Sequence, residues 1–260
     1  MIDTLPPLHG MFIRKLIAKL ERDDRFEALL AGGSMVNGGF DVQSDLDLLP
    51  VVKNDAIASV LAERREIAAG FGDLLSAFTG EHVGEPRLLI CLYGPELLHV
   101  DLKFVARPDL MHIVELPRML WARDGVAMSK TLEEAVVAWP SRSAQWFEDR
   151  AWIWLHYGAS KWQRGELFEA MGMLAFFREQ VLGPMLHRRS GRPQRGVRRI
   201  ELDAAATEAL RAVVADHDKA SVAAALTNAV RLYMELREDE RPQVLTAGMP
   251  ERLMPLLAAE

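Results

Sequence analysis

The sequence predicts an α+β domain, a mixed sheet with flanking helices, followed by an all-α helical bundle. Three observations predict this. Between residues 26 and 105, short apolar runs alternate with turn residues at strand-like lengths. From Leu132 onward, apolar residues recur at helical spacing. Between these parts Pro108, Pro117 and Gly125 punctuate the chain, and the domains are drawn as 1–115 and 116–260.

The elements follow in order. Residues 10–22 carry Phe12, Leu16, Ile17 and Leu20 on one helical side. Phe26–Ala31 reads as a strand that ends in Gly32-Gly33-Ser34. Residues 35–44, rich in Gly, Asn, Asp and Ser, read as a loop with room for one helical turn. Residues 45–52 read as a second strand, and Pro50 suggests an edge or a bend. A helix is expected over 55–69, running on to about Ala77. Arg87–Leu92 and Leu97–Val105 read as strands joined by the turn Tyr93-Gly94-Pro95-Glu96. Helices are then expected over 142–163, 165–182, 203–215 and 219–237, with a short one near the C-terminus. Residues 187–199 hold six arginines and no helical stripe, which reads as a basic connection.

Half of the 260 residues are hydrophobic and 26% are charged, a composition able to bury a core. No charge-free run reaches the roughly 18 residues that span a bilayer. The N-terminal residues Asp3, Pro6 and Pro7 do not suit a signal peptide. Cys91 is the single cysteine, so no internal disulfide forms and a cytoplasmic setting is expected. The net charge of −6 argues against a general nucleic-acid binder. Residues 141–200 run the other way, with eleven Arg/Lys against five Asp/Glu, which suits an anionic ligand.

Three features carry chemistry: Gly33-Ser34 at a strand end, Asp45-Leu46-Asp47-Leu48 after ten intervening residues, and Asp101 within Leu98–Lys103. Alternate residues of a strand share a face, so Asp45 and Asp47 sit together while Leu46 and Leu48 face the core. Two carboxylates this close repel unless a cation lies between them. Mg²⁺ fits, because it binds through one or two carboxylates plus substrate phosphates. Asp101, in a strand with the same alternation, completes a three-carboxylate cluster if the strands are neighbours. It then binds a second metal or takes a proton from an attacking hydroxyl. Glycine lets backbone approach a phosphate closely, and the Ser34 hydroxyl adds a donor.

Gly-Ser, a spacer of this length, Asp-x-Asp and a third strand carboxylate resemble the signature of the nucleotidyltransferase superfamily. The match covers residues 26–105. The helical second half resembles, in plan only, that of small bacterial antibiotic nucleotidyltransferases. The resemblance implies that Asp45, Asp47 and Asp101 are catalytic and bind Mg²⁺, and that Gly33 and Ser34 cradle the triphosphate. It implies transfer of AMP from ATP to a hydroxyl of a small-molecule acceptor, with release of pyrophosphate and an active site between the two domains. An aminoglycoside-like acceptor suits the acidic charge. Residues 35–44 contain no basic residue, unlike many members, so the phosphate grip is expected from the helical half.

In that half Arg150, Tyr157, Lys161 and Arg164 fall near one helical face. They form either a cationic wall for the triphosphate, with Lys161 foremost, or a solvated face paired with Glu148, Asp149 and Glu166. Five tryptophans at 139, 146, 152, 154 and 162 either line a pocket or fill core. Two further readings use the same fold. One makes the acceptor a protein or RNA, as in toxin–antitoxin pairs, where Arg150 and His156 match a loose Arg-x5-His pattern. The other is a non-catalytic nucleotide sensor. The sequence leaves the oligomeric state open.

Overall fold

The structure, a computed structural model, describes residues 2–258. It divides into two compact units, Met1–Ala138 and Trp139–Glu260. The first is a mixed sheet with flanking helices and the second is helical, in line with the expected α+β class. The division falls later than residue 115 for a physical reason. The strand Arg118–Ala122 pairs with Phe26–Ala31, and that pairing keeps 116–138 with the sheet.

The first unit runs α1 (Pro7–Leu20), β1 (Phe26–Ala31), α2 (Ser34–Asn37), β2 (Leu46–Val52), α3 (Ile57–Ala69), β3 (Asp73–Gly80), β4 (Glu85–Gly94) and β5 (Leu98–Lys103). It continues through β6 (Val105–Ala106), β7 (His112–Ile113), β8 (Arg118–Ala122), α4 (Gly125–Glu133) and β9 (Val136–Val137). The main sheet has the order β3-β4-β5-β2-β1-β8, with β6 also on β2, while β7 and β9 form a separate pair. The β2–β5 pairing is parallel; those of β3 with β4, β4 with β5, β1 with β2 and β1 with β8 are antiparallel. Phe12, Ile13, Leu16 and Leu20 of α1 bury against Phe26, Leu46, Leu48, Val100 and Leu102 of the sheet.

The helix expected to reach Ala77 stops at Ala69. Gly70 and Gly72 follow it, and Asp73–Gly80 forms an edge strand on β4. Edge position explains the weak signal: Leu75 and Phe78 stay exposed, so no clean alternation marks the strand.

The second unit contains α5 (Ala144–Gln163), α6 (Leu167–Phe177), α7 (Gly183–Arg189), α8 (Ala204–Arg211), α9 (Lys219–Arg237) and α10 (Met254–Ala258). A π-helical turn, Arg178–Leu182, joins α6 to α7. Residues 187–189 of the expected basic connection are thus the last turn of α7. Asp218 caps α9 by accepting from the Ser221 amide, and Ser143 caps α5 by accepting from that of Trp146. Phe147, Trp152, Phe177 and Tyr233 anchor this core. Trp152 and Trp162 fill it, while Trp146 and Trp154 pack against its rim. Glu148, expected on a solvated face, is instead 1% exposed.

Candidate active site

The site starts where β1 runs out. The Gly32 amide donates to the Asp47 carbonyl at 2.9 Å, which ties the end of β1 to β2. Gly33 follows at φ +58°, ψ −134°, a conformation that favours glycine. A Cβ there would overlap the Asp47 carboxylate, lying 2.6 Å from its Cγ. Backbone and carboxylate are therefore packed directly on each other, and no other residue type fits between them. Ser34 opens α2 and is buried, and among the described residues its Oγ has no hydrogen-bond partner.

Asp47 lies on β2 and Asp101 on β5, and the two are direct partners in the parallel ladder. Leu46, Leu48, Val100 and Leu102 fill the opposite face, all buried. The pairing thus puts Asp47 and Asp101 on one face of the sheet. Asp45 sits just before β2 rather than in it. Burial pushes the Asp101 carboxyl up from the usual carboxylate range; nearby His99 pulls it back, and the charge of Asp45 adds to the rise. His99 Nε2 lies 3.1 Å from Asp101 Oδ1. Lys103, on the same face, pairs instead with Glu85 at 2.8 Å.

Among the described residues, no three His, Cys, Asp or Glu side chains are placed to hold a metal by themselves. The expected three-carboxylate cluster is not preassembled, because Asp45 precedes the ladder that aligns the other two. The donor set still suits Mg²⁺. Hard oxygen donors stand side by side, and this ion takes one or two carboxylates and completes its shell with water and phosphate.

Two residues that the sequence did not single out shape the site. Glu115 accepts from the Gly33 amide through Oε1 and from Asn37 Nδ2 through Oε2, both at 2.6 Å. A carboxylate thus sits on the backbone donor of the Gly-Ser turn. Glu115 follows β7 and lies 82 positions from Gly33, so no local pattern could mark it. His9, buried in α1, bonds the Ser44 carbonyl through Nε2 at 2.8 Å and so fixes the chain just before Asp45. Cys91 lies beneath this face with its thiol pushed up to about 12 by burial, so it is no nucleophile.

Lys161 lies in the helical unit. Its ammonium is 2.6 Å from Glu166 and 2.8 Å from Glu169. Tyr157 donates to Glu169, Arg164 pairs with Glu166, and Arg150 stacks on Trp146. Of the two readings of this face, the structure has the paired one, with two cations, Lys161 and Arg164, against two carboxylates, Glu166 and Glu169.

No family model matches the chain, and no curated protein does. Several solved structures are similar to it, two of them as follows. An aminoglycoside 6-adenyltransferase from Bacillus subtilis is 12% identical over 94% of this chain and 95% of its own, with a TM-score of 0.39. A nucleotidyltransferase-like protein from Exiguobacterium sibiricum 255-15 is 12% identical over 95% of this chain and 87% of its own, with a TM-score of 0.39. Likeness at this level assigns no activity, so the chemistry has to come from the residues themselves.

Proposed function

We propose that the chain is a nucleotidyltransferase that moves a nucleoside monophosphate, AMP from ATP, onto a hydroxyl of a small molecule. The observation that carries this is the parallel register of Asp47 and Asp101, with the Gly33 backbone packed on the Asp47 carboxylate. Structural carboxylates are rarely held side by side in the centre of a sheet.

Asp45 and Asp47 would hold Mg²⁺, which when bound neutralises triphosphate charge. Asp101, whose carboxyl is raised by burial, suits a group that accepts a proton. The acceptor oxygen attacks the α-phosphorus. A new O–P bond forms, the bond from that phosphorus to the bridging oxygen breaks, and pyrophosphate leaves. The hydroxyl proton passes to Asp101, with His99 3.1 Å from its Oδ1 to orient it. Gly33 and Ser34 would meet the phosphates: the Gly33 amide by exchanging Glu115 for a phosphate oxygen, and the buried Ser34 hydroxyl with a proton to donate. Positioning and charge neutralisation then supply most of the rate. A role for Lys161 requires its ammonium to exchange Glu166 and Glu169 for phosphate oxygens. A hydroxylated, cationic acceptor of aminoglycoside type agrees with the net charge of −6. Among the described residues no helix is long and apolar enough to cross a membrane. Cys91 is a free, buried thiol, which agrees with the cytoplasmic setting included in this proposal.

The test is calorimetric titration of ATP, GTP, CTP and UTP with and without Mg²⁺. Binding should require Mg²⁺ and vanish in Asp47→Asn, while Asp101→Asn should bind yet release no pyrophosphate. Failure of every nucleotide to bind, or turnover by Asp101→Asn, overturns the proposal.

A second reading, a sensor without turnover, is favoured by one observation: Glu115 already occupies the Gly33 amide. Under that reading Glu115→Gln tightens nucleotide binding and releases no pyrophosphate with any acceptor.

A further inference from the structure

The basic segment after α7 builds a second site that the nucleotide chemistry does not use. Within α7, Pro184 has no N–H to give the carbonyl four residues back. That carbonyl, of Gln180, instead accepts from Arg142 Nη1 at 2.8 Å, and Gln180 Oε1 accepts from Nη2 at 2.8 Å. Gln194 then holds the Arg142 backbone from both sides: its Oε1 accepts from the Arg142 amide, and its Nε2 donates to the Arg142 carbonyl. Trp139 Nε1 donates to the Gln194 carbonyl at 3.1 Å. A Cβ on Gly183 would lie 2.6 Å from the Gly196 carbonyl carbon, so this glycine admits the returning loop.

The result is an open cleft of about 460 Å³ whose lining includes Ser141, Arg142, Ser143, Arg188, Arg192 and Glu240. Its charges are unevenly matched. Arg188 pairs with Glu240 at 2.6 Å, and its Nη2 is closed off from solvent with no partner among the described residues. Arg192 reaches Asp203 at 3.2 Å. Arg142 bonds neutral oxygens and lies 4.0 Å over the Trp146 ring, with no carboxylate at ion-pair distance among the described residues. Burial, and after it the neighbouring Arg150, disfavour its charge, and Glu179 offsets this only in part. Ser143 Oγ accepts from the Trp146 amide, which leaves its own proton to donate. It caps the 20-residue helix α5, whose positive end lies at the cleft.

We propose that this cleft binds a phosphoryl dianion, free or esterified to a small molecule. Guanidinium forks match phosphate oxygens two at a time, and three of them with two hydroxyls offer more donors than a carboxylate can accept. The volume exceeds what a bare phosphate fills and leaves room for a carrier.

Calorimetric titration of the whole protein at fixed ionic strength tests this, with inorganic phosphate, ribose 5-phosphate and ribose as probes. Both phosphates should bind and ribose should not. Tighter ribose 5-phosphate assigns the site to a monoester, and equal affinity assigns it to the free ion. Arg192→Gln should weaken binding about tenfold, the usual worth of one charged hydrogen bond. Glu240→Gln should tighten it by freeing Arg188. Glu240 is half exposed, so this variant carries the test even if Arg192→Gln disturbs the loop. Absence of phosphate binding, or wild-type affinity in both variants, overturns the proposal.

Discussion

Gly33→Ala is the sharpest perturbation of the candidate active site, and Gly38→Ala is its control. Both glycines have positive φ, +58° and +81°, in regions that residues with a Cβ avoid. Each substitution should therefore lose of order 1–3 kcal/mol from backbone strain. The surroundings differ. A Cβ on Gly38 meets nothing within 4 Å, whereas one on Gly33 lands on the Asp47 carboxylate, whose Oδ2 is buried. Moving that oxygen should cost roughly 1–3 kcal/mol more, the usual penalty for disrupting a buried polar group. Urea denaturation of the whole chain reads the difference as a shift in midpoint at constant slope. Repeating both substitutions in Asp47→Ala isolates the contact. That background removes Cγ and Oδ2 and leaves only the 3.2 Å approach to Cβ, so the excess cost of Gly33→Ala should shrink there. Nucleotide binding should be lost in Gly33→Ala and kept in Gly38→Ala. Equal stability losses for the two glycines in both backgrounds would refute the idea that the turn is built around Asp47.

Asp101→Asn should raise stability at neutral pH while removing turnover. A carboxyl whose folded-state pKa is raised by burial destabilises the fold once ionised. The gain is therefore full above that raised value and fades to nothing as pH falls below the ordinary carboxylate range, which denaturation at several pH values would follow. Glu85 behaves oppositely: its bond to Arg87 pulls it down to about 2 against the effect of burial, and Lys103 helps. Its stabilisation should be lost as pH falls from the ordinary glutamate range through about 2, and Glu85→Gln should flatten acid unfolding there. In the helical unit, Glu148 accepts from Trp152, Tyr233, Arg237 and the Thr246 amide. Glu148→Gln would leave buried Arg237 without its counter-charge, and urea denaturation should show a loss of about 3–5 kcal/mol.

Much of this was legible because the signals were local. Asp47 and Asp101 stood out as acids flanked by Leu46 and Leu48 and by Val100 and Leu102, and the shared face follows from the two-residue repeat. Helix α9 matched its expected span because Asp218 caps it and its apolar stripe is unbroken. The misses were contacts between distant segments. Pairing of β8 with β1 moved the domain boundary. Glu115 reaches Gly33 across the fold, and Glu148 is buried by residues 85 to 98 positions away. At the π-helical turn, Arg142 takes the Gln180 carbonyl that Pro184 leaves without a donor, a contact 38 positions apart that no periodicity records.

The parallel pairing of β2 with β5 also bears on how the candidate site is assembled. Parallel neighbours cannot be joined by a hairpin, so α3, β3 and β4 must all be laid down between Asp47 and Asp101. Bringing the two carboxylates together closes a long loop, and the interactions that reward this closure arrive only when the central ladder forms. Asp47 and Asp101 also repel, so the last step of sheet assembly works against their charge. Competence to bind nucleotide should then appear late in refolding, together with the native sheet, and no shorter piece of the first unit should acquire it.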